Sequence, residues 1–142
     1  MKNPAVRYAI AAALILVTVT GFVLLQSSRA AKSTEFDRKR IEDLRGLAAS
    51  LSAADSLPPD LNIFNWGLLI KMKNHWTPYD PVTGGLYGYR RLDVTHFDLC
   101  AVFDTESRDR DLASDDKGWA HPKGAYCFRF DKTSGGVPQR ER

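Results

Sequence analysis

The sequence predicts an α+β protein: an N-terminal transmembrane helix, then an amphipathic helix packed on a small three-stranded antiparallel sheet that carries one disulfide. Three observations support that class. Tyr8 to Leu25 is an uncharged apolar run, close to the ~20 residues that cross a hydrocarbon core about 30 Å thick. Ile41, Leu44, Leu47, Ala48 and Leu51 recur at three- and four-residue steps, the period of one helix face. Three later strand-like runs hold the only two cysteines, Cys100 and Cys127.

The apolar run places a cytoplasmic tail at 1–7, a transmembrane helix at 8–27, an extracytoplasmic α+β domain at 33–132 and a disordered polar tail at 133–142. A cleaved signal peptide is the alternative, because Lys2 and Arg7 precede the run and Ser28-Arg29-Ala30 offers small residues at a peptidase site. Either reading exports the rest of the chain. The basic residues Arg29, Lys32, Arg38, Lys39 and Arg40 that follow would by themselves hold the domain inside. The cysteines argue for the outside, since an even pair in a small exported domain is most economically a disulfide. The expected location is the bacterial inner membrane with the domain in the periplasm or outside.

The 142 residues carry 20 basic and 17 acidic side chains, a formal charge of +3. No acid precedes Glu35, and setting Lys2 and Arg7 aside leaves 18 basic against 17 acidic groups. A nearly neutral domain has no electrostatic footprint for nucleic acid.

From Ser33 to Ser52 the pattern is helical, capped by Ser33 or Thr34, with Asp37, Lys39, Arg40, Glu42, Asp43 and Arg45 on the faces away from the apolar stripe. It either continues the first helix or meets it at a kink near Ser27-Ser28. Asp60 to Trp76 is densely apolar, and Pro59 favours a short helix there; Trp66, Trp76 and Tyr79 belong to the core or to an interfacial aromatic belt. Asp80-Pro81-Val82-Thr83-Gly84-Gly85 is a turn. Strands are expected over Leu86–Leu92, Phe97–Asp104 and Tyr126–Asp131, with a charged surface loop from Thr105 to Lys123 carrying Trp119 and His121.

Alternation places Phe97, Leu99, Ala101 and Phe103 on one face of the second strand, and Tyr126, Phe128 and Phe130 on one face of the third. Cys100 and Cys127 then share the opposite face. Antiparallel neighbours would let the sulfurs meet as a structural bridge, whereas a redox pair would more often be a close C-x-x-C.

The succession Arg40-Ile41-Glu42-Asp43-Leu44, Leu57-Pro58, Asp80-Pro81-Val82-Thr83-Gly84 and Tyr87-Gly88-Tyr89 after an apolar helix resembles the periplasmic part of type IV pilins and type II secretion pseudopilins. With Phe97 to Phe103, Trp119-Ala120-His121 and Gly124 to Phe128, it is similar to uncharacterised bacterial single-pass membrane proteins with such a domain. The resemblance implies a pilin-like fold and an envelope location, and supplies no reaction. Gly21-Phe22 lies near the end of the apolar run and the fifth position from Phe22 is Gln26, unlike the glutamate of a processed pilin.

No catalytic, cofactor-binding or metal-binding set is expected. His75, His96 and His121 lack ligand spacing, no nucleophile signature is present, and Asp104, Glu106, Asp109, Asp111, Asp115 and Asp116 interleave with Arg108, Arg110 and Lys117 as a solvated face. The expected role is a membrane-anchored extracytoplasmic interaction or scaffold protein, an accessory subunit of a membrane complex, with the lipid bilayer and other envelope proteins as partners. A pilin-like component of a fibre or secretion system, and an exported enzyme or small-ligand binder using a pocket near Trp66, Trp76 and Trp119, are the alternatives.

Overall fold

A computed structural model describes residues 4–62, 76–108 and 118–139, together with Leu112 and Asp116. The chain divides into two compact units, Met1–Ser33 and Thr34–Arg142. The expectations for Trp66, His75 and the apolar cluster between them lie outside the described residues.

Helix α1 runs unbroken over Pro4–Ala53. Proline opens it, where a missing N–H is harmless, and alanine, leucine, arginine, lysine and glutamate then dominate a stretch without a further proline. The Ser27-Ser28 pair does not interrupt it, so Ser33 and Thr34 are interior residues and not caps. Among the described residues no helix is long and apolar enough to cross a membrane, which corrects the transmembrane helix expected over 8–27. Within the apolar run Leu14, Ile15, Leu16, Val17 and Phe22 are all exposed. Its threonines turn inward on the helix: the Thr18 hydroxyl bonds the Leu14 and Ile15 carbonyls, and Thr20 donates to Leu16 at 2.7 Å.

The sheet has four antiparallel strands in the order β1 (Gly88–Arg91), β2 (His96–Phe103), β3 (Gly124–Asp131) and β4 (Pro138–Gln139). The expected three-stranded sheet is corrected by β4, which lies in the stretch taken as a disordered tail. The cause is local. The Asp131 carboxylate caps a 3-10 helix, Lys132–Ser134, by accepting from the Thr133 amide at 2.8 Å, and Gly135 ends it in the left-handed region. Gly136, at φ +88°, then passes so close to α1 that an added Cβ would sit 2.9 Å from the Ala49 nitrogen. Only glycine satisfies both demands, and the chain returns to set Pro138 against Phe130.

The core follows the two periodicities. Leu44, Leu47, Ala48 and Leu51 of α1 are buried with Phe97, Leu99, Ala101 and Phe103 of β2 and Phe128 and Phe130 of β3. Phe97 and Phe130, register partners, stack with centroids 5.2 Å apart. Gly46 faces the Trp76 indole, which occupies the space a Cβ would need. Gly46→Ala is therefore expected to destabilise the fold by about 2–3 kcal/mol through overpacking, despite its better helix propensity; urea denaturation of the two proteins measures it.

Candidate functional site

Asp37, Arg40 and Asp43 repeat at three-residue steps in α1 and run into the stripe of Leu44 and Leu47. All three are buried, which corrects their expected placement away from the apolar face. Arg40 is the hub. Its Nε donates to Asp80 at 2.7 Å, and its Nη1 donates to Asp37 at 2.8 Å and Asp104 at 2.9 Å. One guanidinium thus joins α1 to the 80–85 turn and to the end of β2, a geometry that suits its fixed fork of donors.

Each carboxylate is further committed. Asp37 accepts from the Asp104 amide and from the amide and hydroxyl of Thr105, the latter two at 2.7 Å. Burial pulls its carboxyl upward, but these bonds and Arg40 outweigh that pull and hold it below the ordinary range. Asp80 behaves alike: burial is outweighed by Arg40 and by the Val82 and Thr83 amides that make the turn. Asp43 accepts from Lys39, the Thr77 amide and the Tyr87 hydroxyl. Burial and the Asp43 charge push the Tyr87 phenol well above its usual value, so it remains a donor.

Beside this network a cavity of about 380 Å³ opens between α1 and the segment joining β2 to β3. Ile41, Leu112 and Trp119 form its apolar surface, and Arg38, Glu106 and Asp116 lie around it. The Arg45 guanidinium sits 5.1 Å from the Trp119 ring centroid, a cation–π contact, and pairs with Asp116. Trp119 and His121, expected in a surface loop, are both buried. Trp119 packs on Phe128 at 5.0 Å, and His121 stacks on Phe103 at 3.7 Å. The His121 Nδ1–H faces the Pro122 carbonyl at 3.3 Å, and Ser107 accepts from the His121 amide. The polar groups lining the cavity are largely tied to one another, leaving an apolar floor within a charged rim, the pattern of a recognition pocket.

Burial lowers the His121 pKa below 6.5, against smaller opposing effects from the Pro122 carbonyl and Asp37. The unfolded chain therefore binds the proton first as pH falls, and stability drops from about pH 6.5 down to the folded-state value. Denaturation midpoints measured between pH 7.5 and 5 should show this loss in the wild type and a smaller one in His121→Gln; equal slopes would contradict it.

Cys100 and Cys127 are directly opposite in the β2–β3 register and form a disulfide with a Cα separation of 4.0 Å. They lie on the face away from the core. On that same face Asp98 is only 2% exposed, because Arg90 at 2.6 Å and Arg129 at 3.0 Å close over it. His96 pairs with Asp93 at 2.8 Å. Among the described residues no group of three His, Cys, Asp or Glu side chains is placed to hold a metal. The phase of Asp37, Arg40 and Asp43 with the apolar stripe is the one signal of the Arg40 hub in the sequence, and it does not by itself name the partners that bury them.

No protein-family model, curated protein or solved structure matches this chain.

Proposed function

We propose that the chain is a membrane-associated, extracytoplasmic interaction protein, with the apolar part of α1 resting against lipid and the folded unit offering its Trp119 pocket to another envelope protein. The observation that carries this reading is the exposure of Leu14, Ile15, Leu16 and Val17 at 62–69%. A contiguous apolar surface of that kind calls for an apolar partner. The disulfide supports an oxidising compartment, and the pocket combines an aromatic anchor site with a charged rim, as protein-binding surfaces do.

Two experiments test it. Flotation with phosphatidylcholine vesicles should carry the wild-type chain upward and leave Ile15→Lys/Val17→Lys at the bottom; wild type remaining at the bottom contradicts lipid association. Photo-crosslinkers at Arg38 and Leu112, in cells of the native host, should trap a discrete partner that a crosslinker at Val94 does not; identical patterns contradict the pocket's role. A cavity of about 380 Å³ is also of the size that small ligands occupy, which favours a small-ligand binder as second reading. In that case the pocket crosslinkers would trap no protein, and Trp119→Ala would abolish ligand binding.

A further inference from the structure

The sheet is cut back on one side. β1 and β2 are paired from Arg91 and Phe97 to Gly88 and Cys100, but β2 runs on to Phe103, where it is still paired with Gly124 of β3. The chain before Gly88 turns off to another partner: Leu86 bridges Tyr79, and the Tyr87 amide donates to the Pro78 carbonyl at 3.0 Å. A notch of about 450 Å³ opens where β1 leaves, between the 80–85 turn and the last residues of β2. The Leu92 amide bonded to the His96 carbonyl at 2.9 Å sets the backbone phase. Cys100 accordingly meets Gly88, and Val102, two residues on, turns its N–H and C=O toward the notch.

The notch joins an apolar wall to an excess of negative charge. Val82, Leu86, Val102 and Ala125 form the wall, and Val82 and Val102 are 54% and 61% exposed. Its charged residues, among those described, are Arg40, Asp80 and Asp104. Arg40 is one cation against three carboxylates, since it also holds Asp37. Lys39 does not offset the difference, because it is paired with Asp43 and Glu42. Asp37 and Asp80 are largely buried, but the Asp104 side chain is 46% exposed, and a carboxylate has more acceptor sites than its single bond to Arg40 uses. The excess charge is therefore reachable at the notch.

We propose that the notch is a second docking site, for a basic side chain of a partner protein: the aliphatic stem of an arginine or lysine lies along Val82, Leu86 and Val102, and its cationic head meets Asp104 and the Val102 carbonyl. Charge complementarity selects a cation over an anion or a neutral group. Long basic side chains supply the required pairing of an apolar stem with a charged end, and a notch open along the sheet edge admits one reaching in from a neighbouring surface. Among the described residues it shares no lining residue with the Trp119 cavity, so it stands or falls separately from the reading above.

The test is a titration of the full chain in non-ionic detergent, read by amide nitrogen–proton correlation spectra, with N-acetyl-arginine amide and its uncharged isostere N-acetyl-citrulline amide as probes. The arginine probe should shift the Val82, Thr83, Val102 and Asp104 amides saturably, and the citrulline probe at the same concentrations should not. Asp104→Asn, which keeps an oxygen for Arg40, should weaken binding of the arginine probe by about fivefold, the scale of a half-exposed ion pair. Val102→Lys, a substitution at an exposed position that sets a cation in the notch, should abolish it. In cells of the native host a photo-crosslinker at Thr83 should form a protein adduct that Val102→Lys removes, while adducts through Arg38 and Leu112 persist. The proposal is overturned if the two probes bind alike, if neither shifts these amides, if either variant binds the arginine probe as the wild type does, or if no adduct forms through Thr83. Should Asp104→Asn not fold, Val102→Lys decides in its place.

Discussion

Replacing Arg40 with leucine is expected to destabilise the folded unit by about 3–5 kcal/mol, the scale on which removing one member of a buried charge network leaves its partners uncompensated. Arg40 is 3% exposed and is the cation shared by Asp37, Asp80 and Asp104. Asp37 and Asp80 are themselves largely buried, so their carboxylates would lose their counterion in a poorly solvated place; Asp104, 46% exposed at the side chain, would suffer least. Against the 5–15 kcal/mol of an ordinary domain this is a large share. Arg40→Lys should recover only part of the loss, because a single ammonium cannot reproduce the fork that reaches three carboxylates. Equal stabilities for Arg40→Leu and wild type in urea denaturation would remove the hub from the account. The same network works with pH in a defined direction. Asp37 and Asp80 are held below the ordinary carboxylate value of 3.8, so their contribution is complete above that pH and is lost as pH falls further through their folded-state values.

Cys100→Ser/Cys127→Ser is expected to lower stability by roughly 3–4 kcal/mol, the chain-entropy value for a closed loop of this length; the sequence separation is 27. The bridge ties two strands that are already paired over eight residues each, so its effect falls on the unfolded chain, and the native packing should survive. The prediction is therefore a lowered denaturation midpoint with an unchanged near-ultraviolet spectrum. A loss of the aromatic signal at low temperature would mean instead that the bridge is needed to set the register.

The parts of this structure that were legible in the sequence are those governed by simple periodicity. Alternation in Phe97 to Phe103 and Tyr126 to Phe130 marks the buried face, and the odd phase of Cys100 and Cys127 puts both on the other. Turn chemistry at Asp80 to Gly85 is equally plain, since the carboxylate caps the Val82 and Thr83 amides. What was not legible depends on partners distant in the chain. Asp37, Arg40 and Asp43 read as solvent-facing because charged residues usually are; they are buried because Thr77, Asp80, Tyr87 and Thr105 arrive from 34 to 68 positions away. Asp98 is hidden by two arginines that meet only across the sheet.

β4 escaped notice for a different reason. Two residues are too few to show a period, and the signal lay in Asp131 and the Gly135-Gly136 pair, which shape the return toward β3. The pocket was half legible. Trp119 was a candidate binding residue from the outset, but its alignment with Arg45, and the contribution of Ile41, come from the way α1 crosses the inner face. Helix propensity in α1 is continuous, and no helix-breaking residue stands where unit Met1–Ser33 gives way to Thr34–Arg142.

The proposed role places a disulfide-bridged domain in an oxidising compartment. Thiol labelling of the chain taken from its native host, with and without prior reduction, measures this directly. Labelling at both Cys100 and Cys127 only after reduction is the expected result, and two thiols that label freely without it would contradict the bridge, the compartment and the envelope role together.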